Sequence, residues 1–209
     1  AVARAARALH APMSSSERAR ENARREREEG RVGAARDVAR AIGVALHCAL
    51  EHWPIGRPAA DQVARAALER ALAPRVPAPA LEAATREAGA LFDAFAASEL
   101  ARRLDALEGR FHARELALVL RAEGDEGPTG AWVGAADLVF EEDGGLVVVD
   151  FKTDRGDDDA LCAAYAPQLA LYAQALVAAL GRPVLRAELW RLGEGRALEV
   201  PLDFAAPPR

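Results

Sequence analysis

Lysine is nearly absent from this sequence. Of its 27 basic residues all are arginine except Lys152. Cysteine is almost as scarce: Cys48 and Cys162 stand far apart, which excludes a disulfide scaffold, a four-cysteine zinc site and an iron–sulfur cluster. Both read as small buried side chains in a reducing compartment. No apolar run reaches the roughly 20 residues that a membrane span needs. The opening AVARAARALH lacks the apolar core of a signal peptide. No G-x-x-x-x-G-K-[ST] segment occurs, so neither a nucleotide site nor a helicase motor is expected within the chain. These absences predict a cytoplasmic protein with no membrane partner. The start at Ala rather than Met predicts a piece of a longer protein.

What is present is alanine, arginine and acid. With 209 residues, 51% hydrophobic, the chain can bury the core of one domain with a helical annex. Alanine supplies much of the apolar count, which leans the chain toward helix. The net charge of −5 argues against a protein that coats nucleic acid over its whole surface, but the charge is segregated. Residues 1–40 hold ten arginines against six acids, and residues 137–160 hold nine acids against Lys152 and Arg155. An acidic centre that must meet phosphate needs a cation between them.

The pattern along the chain divides into three stretches. Residues 1–30 are polar and basic, either a solvated helix or a linker. Residues 31–109 read as a helical part. Val38, Ile42, Leu46, Leu50 and Trp53 recur at helical spacing, a second helix is predicted over 59–73, and a third over 80–107 with a break near Ser98. Residues 110–209 read as an α/β core: strands at 110–121, 131–140 and 146–152, a helix from Pro167 to Leu180, and short strands at 184–192 and 196–202. GDEGPTG (124–130) is expected to be a loop and EEDGG (141–145) a hairpin turn.

The continuous apolar run LVVVDFK (146–152) implies a strand buried on both faces. Side chains alternate across a strand, so Asp150 and Lys152 share one face and Phe151 takes the other. An acid and a base at the end of a buried strand are expensive without a purpose, although an ordinary solvated pair also fits. In a chain so biased toward arginine, a lone lysine suggests a position that needs a compact point charge with a tunable pKa. A hairpin through EEDGG would put Asp137 on the strand beside Asp150. Two converging carboxylates could hold Mg²⁺ or Mn²⁺ through oxygen, and Asp137 could equally pair with a nearby arginine.

Four features occur in chain order: Gly43 and His47; Gly134 and Asp137; Asp150-Phe151-Lys152-Thr153; and Gln168 with Tyr172. Together they resemble the PD-(D/E)XK nuclease superfamily, and within it the RecB/AddA-type nuclease domain of bacterial helicase–nucleases. The resemblance runs from about residue 40 to 192. It implies a restriction-endonuclease-like central mixed sheet flanked by helices, with a helical N-terminal part that supplies His47. Carried over by position, it makes Asp137, Asp150 and Lys152 catalytic. It makes His47, Asp137, Asp150 and the Phe151 backbone carbonyl metal ligands, and Glu115 a less regular further acid. Gln168 and Tyr172 are four apart and share a helix face; the resemblance implies that this face contacts DNA or orients catalytic groups, and that Tyr165, one turn before Gln168, joins it in binding DNA. The helix residue His47 has a bland alternative, a surface or satisfied histidine, but it alone of four histidines has glycine four residues earlier.

The resemblance further implies Mg²⁺- or Mn²⁺-dependent hydrolysis of DNA phosphodiester bonds, in double-strand-break processing and recombinational repair. The expected partners are DNA, the helicase part of a longer parent chain, and a second subunit. Two rivals stay open: a degenerate DNA- or partner-binding module, and a metal phosphoesterase for small molecules.

Overall fold

The computed structural model describes residues 15–56, 61–124 and 127–202. Helix α1 (Ser15–Glu51) is followed by α2 (Asp61–Leu72), a 3₁₀ turn at Ala73–Arg75, α3 (Ala78–Ala96) and α4 (Glu99–Asp105). Strands β1 (Phe111–Gly124), β2 (Gly127–Glu142) and β3 (Gly145–Lys152) come next. Helix α5 (Asp158–Leu180) then leads to β4 (Val184–Arg191) and β5 (Arg196–Val200). The five strands form one sheet in the order β1-β2-β3-β4-β5. The β3/β4 pair is parallel and the rest are antiparallel, so the sheet is mixed, and helices cover both faces. This is the α/β architecture that the sequence implies.

Alternation along β3 divides the core in two. Val147, Val149 and Phe151 face α1 to α4, where they meet Leu46, Trp53, Phe92 and Phe95. Leu146 and Val148 face α5, against Leu169, Tyr172, Ala173 and Leu176. A strand covered on both sides has to be apolar at almost every position, which is why LVVV needs no alternation of its own.

Three boundaries differ from the sequence expectation. First, α1 is a single helix from Ser15 to Glu51, so the polar stretch and the amphipathic stretch join without a break. Second, the expected loop at 124–130 is much shorter, because β1 and β2 continue pairing to Gly124↔Gly127. Third, α5 begins at Asp158 rather than Pro167. The Asp157 side chain accepts from the Ala160 amide at 3.0 Å and caps the helix, and Pro167 sits within it. Tertiary packing outweighs the one backbone hydrogen bond that proline removes. Joined in this way, α5 becomes long and apolar enough by composition to cross a membrane, which a reading that starts the helix at Pro167 misses. Its Leu169, Tyr172, Ala173, Ala175 and Leu176 are instead buried against the sheet. The break near Ser98 is present, with Ser98 capping α4 through the Ala101 amide.

Candidate active site

The sheet frays at the acids. Strands β2 and β3 pair from Glu142↔Gly145 as far as Leu138↔Val149 and no further. One residue on, the Asp137 carboxylate accepts the Phe151 amide at 2.5 Å, replacing a backbone partner with a side chain. Opposite it on β1, Glu115 adopts φ 44, between the pairs Arg114↔Leu138 and Leu116↔Ala136. A left-handed non-glycine residue inside a strand costs roughly 1–3 kcal/mol and persists only where its surroundings impose it. Here the kink puts the Glu115 carboxylate at the centre of the site.

Helix α1 brings His47 to the same point. Its Nδ1 lies 3.1 Å from Asp137 Oδ1 and 3.7 Å from Glu115 Oε1. Its Nε2 donates to the Phe151 carbonyl at 3.2 Å. One ligand atom from each of His47, Glu115 and Asp137 falls within 4.8 Å of the others. Three separate elements therefore converge, and the carbonyl expected to serve a metal faces the same imidazole.

Asp150 lies beside this group and is otherwise engaged. Its Oδ2 faces the Lys152 ammonium at 2.5 Å, and its Oδ1 accepts from Gln168 Nε2 at 3.3 Å. Gln168 also donates to the Tyr172 hydroxyl at 2.5 Å. Tyr172 is itself buried, so on this helix face Gln168 bridges the Tyr172 hydroxyl and the Asp150 carboxylate. Lys152 sits 4.1 Å above the Tyr165 ring, whose hydroxyl donates to Asp154 at 2.6 Å. Asp154 escaped the sequence reading. It lies beyond the end of β3 at Lys152, so strand alternation does not mark it. Gly134 earns its place sterically, since a Cβ there would lie 2.4 Å from the Trp132 ring and 2.9 Å from Tyr172. Gly43 is less demanding: a Cβ would meet only Thr153 Oγ1, at 3.6 Å.

A signature of the PD-(D/E)XK nuclease superfamily matches residues 16–205, nearly the whole chain. The chain belongs to the PD-(D/E)XK nuclease superfamily. A 67-residue segment is also 45% identical to an ATP-dependent helicase/nuclease subunit from Desulforudis audaxviator (strain MP104C). That segment is 31% of this chain and 5% of its relative, so the chain spans a small part of the longer protein.

The electrostatics of this superfamily member are those of a site short of positive charge. Asp137 and Asp150 are almost fully buried, and Glu115 is half-buried. Burial alone would lower the pKa of His47, but the Asp137 and Glu115 carboxylates outweigh it and push the ring up to about 10. Burial pushes Asp150 up to about 6; the Asp137 charge adds to this and the Lys152 ammonium opposes it. Burial, then the bond to Asp154, raises Tyr165 and keeps its hydroxyl protonated.

These residues fit a divalent cation. Three carboxylates, an imidazole and a backbone carbonyl are hard or borderline donors of the kind such ions take. The buried Asp150 Oδ2 has only the ammonium beside it and no aligned hydrogen bond. The imidazolium of His47 stands among the acids as the positive charge that a metal would otherwise provide. An open cleft of about 980 Å³ runs over this centre between α1 and the end of β3.

Proposed function

We propose that the chain is a divalent-metal-dependent deoxyribonuclease domain that hydrolyses phosphodiester bonds. The observation that carries this is the convergence of His47, Glu115 and Asp137 beside the Asp150–Lys152 pair, with His47, Glu115 and Lys152 lining an open cleft. Membership of a nuclease superfamily supports the same reaction.

His47, Asp137, Asp150 and the Phe151 carbonyl would hold the ion, with Glu115 as a further ligand. Mg²⁺ or Mn²⁺ bound there would supply Lewis acidity to water and neutralise charge on the phosphate. The protein's own contributions are positional. Asp137 ties β2 to the Phe151 amide, so the Phe151 carbonyl is aimed by the same bond that holds the acid. Gln168, braced by Tyr172, fixes Asp150. Lys152, held between Asp150 and the Tyr165 ring, presents its charge to the cleft, where it orients water or steadies the phosphate in the transition state. Water adds to phosphorus, the bond to the 3′ oxygen breaks, and the products carry a 5′-phosphate and a 3′-hydroxyl.

The similarity to a helicase/nuclease subunit supports a finer reading: the exonuclease part of a bacterial, cytoplasmic RecB/AddA-like helicase–nuclease. Such a domain would act in double-strand-break processing and recombinational repair. Its partners would be DNA, the helicase part of the parent chain and a second subunit.

Incubating the protein with linear DNA, with Mg²⁺, Mn²⁺ or a chelator, tests the proposal. Metal-dependent cleavage that Asp150→Ala abolishes is expected. DNA binding without cleavage would mark a degenerate binding module instead. Hydrolysis only of small phosphodiesters would mark a phosphoesterase.

A further inference from the structure

The catalytic residues above account for the floor of the cleft but not for its basic wall. Arg36 and Arg40 line it from α1, and Arg155 lines it from the loop after β3. All three are exposed, and among the described residues none holds an ion pair or hydrogen bond. Several other arginines are engaged with acids. Arg103 and Arg186 clamp Glu188, Arg191 and Arg196 clamp Asp158, and Arg102 is paired with Glu99.

Spacing puts two of these cations in line. Arg36, Arg40, Gly43 and His47 recur at three- and four-residue intervals, so they share one face of α1, the face toward the cleft. At about 1.5 Å of rise per residue, Arg36 stands roughly 16 Å along the helix from His47. One small phosphate compound cannot touch both ends, whereas a polymer with phosphates at regular intervals can. Among the acids lining the cleft, Glu115 belongs to the metal cluster, Glu87 comes from α3, and Glu51 is the first on α1, so the α1 wall is basic before Glu51. At Gly43 the α1 backbone runs so near Thr153 that an added Cβ would be in van der Waals contact with its hydroxyl.

We propose that Arg36, Arg40 and Arg155 form a phosphate track that binds a polynucleotide strand and leads it over Gly43 to the metal centre. The ligand class rests on the nuclease reading above; the track itself rests on the free arginines and their alignment. Arg36 and Arg40 hold successive phosphates on the α1 side. Arg155 holds the strand from the opposite wall, next to Lys152 and Thr153.

The test is fluorescence anisotropy of a labelled 20-nucleotide oligothymidylate with the full chain in EDTA, across a salt series, with cleavage in Mg²⁺ measured in parallel. The variants are Arg36→Gln/Arg40→Gln, Arg155→Gln, and Arg102→Gln as a surface control, each checked for its fold by circular dichroism. The double variant is expected to bind at least tenfold more weakly at low salt. Its slope of log affinity against log salt should flatten by about 1.4, since each phosphate contact on a single strand contributes about 0.7. Arg155→Gln should lose affinity to a smaller extent, and Arg102→Gln should match wild type. A double variant that binds with wild-type affinity and slope overturns the track. If wild type cleaves DNA while the arginine variants bind normally, the track alone fails. If wild type binds through the arginines but cleaves nothing in metal, the nuclease reading fails and the track stands.

Discussion

The Asp137 carboxylate accepts the backbone amide of Phe151 at 2.5 Å, at the point where β2 and β3 stop pairing. One side chain thus performs two tasks. It closes the hydrogen-bond account of a buried strand end, and its other oxygen faces His47 at 3.1 Å. The strand end whose carbonyl meets His47 Nε2 is thereby held by Asp137.

Those two tasks separate under mutation. Asp137→Asn keeps an oxygen for the Phe151 amide but removes the charge, so the protein should fold near-normally and lose at least 100-fold in metal-dependent cleavage. Asp137→Ala also strands a buried amide, which costs about 1–3 kcal/mol. At roughly 2–4 °C per kcal/mol for a chain of this length, thermal melts should show the alanine variant several degrees below the asparagine variant. Equal melting temperatures would refute the double role.

Lys152 and Asp150 should differ in what they do to metal. Titration calorimetry with Mn²⁺ is expected to show Asp150→Asn binding far more weakly, while Lys152→Gln keeps wild-type affinity. Both should lack cleavage. A Lys152→Arg variant should also be inactive, because a planar fork cannot sit where the compact ammonium lies between the Asp150 carboxylate and the Tyr165 ring.

In metal-free buffer the site makes stability depend on pH. Asp150 rises from 3.8 to about 6 in the folded protein, so its contribution is fully present below pH 3.8 and is lost as pH climbs through about 6. His47 rises from 6.5 to about 10, so its contribution is full below pH 6.5 and is lost as pH climbs through about 10. Denaturation midpoints measured in EDTA should therefore fall in two steps. Asp150→Asn should remove the lower step and His47→Asn the upper one. Saturating Mn²⁺ should flatten both, since it stabilises the deprotonated ligands.

Gln168→Leu is expected to lower kcat about tenfold with little change in KM, the loss of roughly one hydrogen bond to a charged group. Tyr172→Phe should act in the same direction and less strongly, because it removes the brace and keeps the packing. A rise in KM alone would show that this face grips DNA rather than orienting Asp150.

Gly134→Val should destabilise the fold by about 1–3 kcal/mol through overpacking, with Trp132 and Tyr172 already occupying the space. Thermal melts check this, and an unchanged midpoint would mean that those rings move freely.

Much of this was legible in the chain. A run such as LVVVDFK states its own burial, and the two-residue repeat of a strand puts Asp150 and Lys152 on one face whatever surrounds them. Their observed 2.5 Å contact follows from that period. The 3.6-residue period likewise placed Gln168 under Tyr172. Local periodicity sets which residues share a face, and composition singled out Lys152. Where that face meets another element is a different matter. That Glu115 turns inward through a left-handed kink, that His47 reaches Asp137 across 90 residues of chain, and that α5 runs straight through Pro167 all depend on long-range packing. Such contacts join positions distant in sequence, and no local pattern encodes the distance between them. The sequence by itself determined the strands, their faces and the chemistry each could carry. Only the tertiary structure decided which of those groups meet, because buried charges must find their partners wherever the packed elements put them.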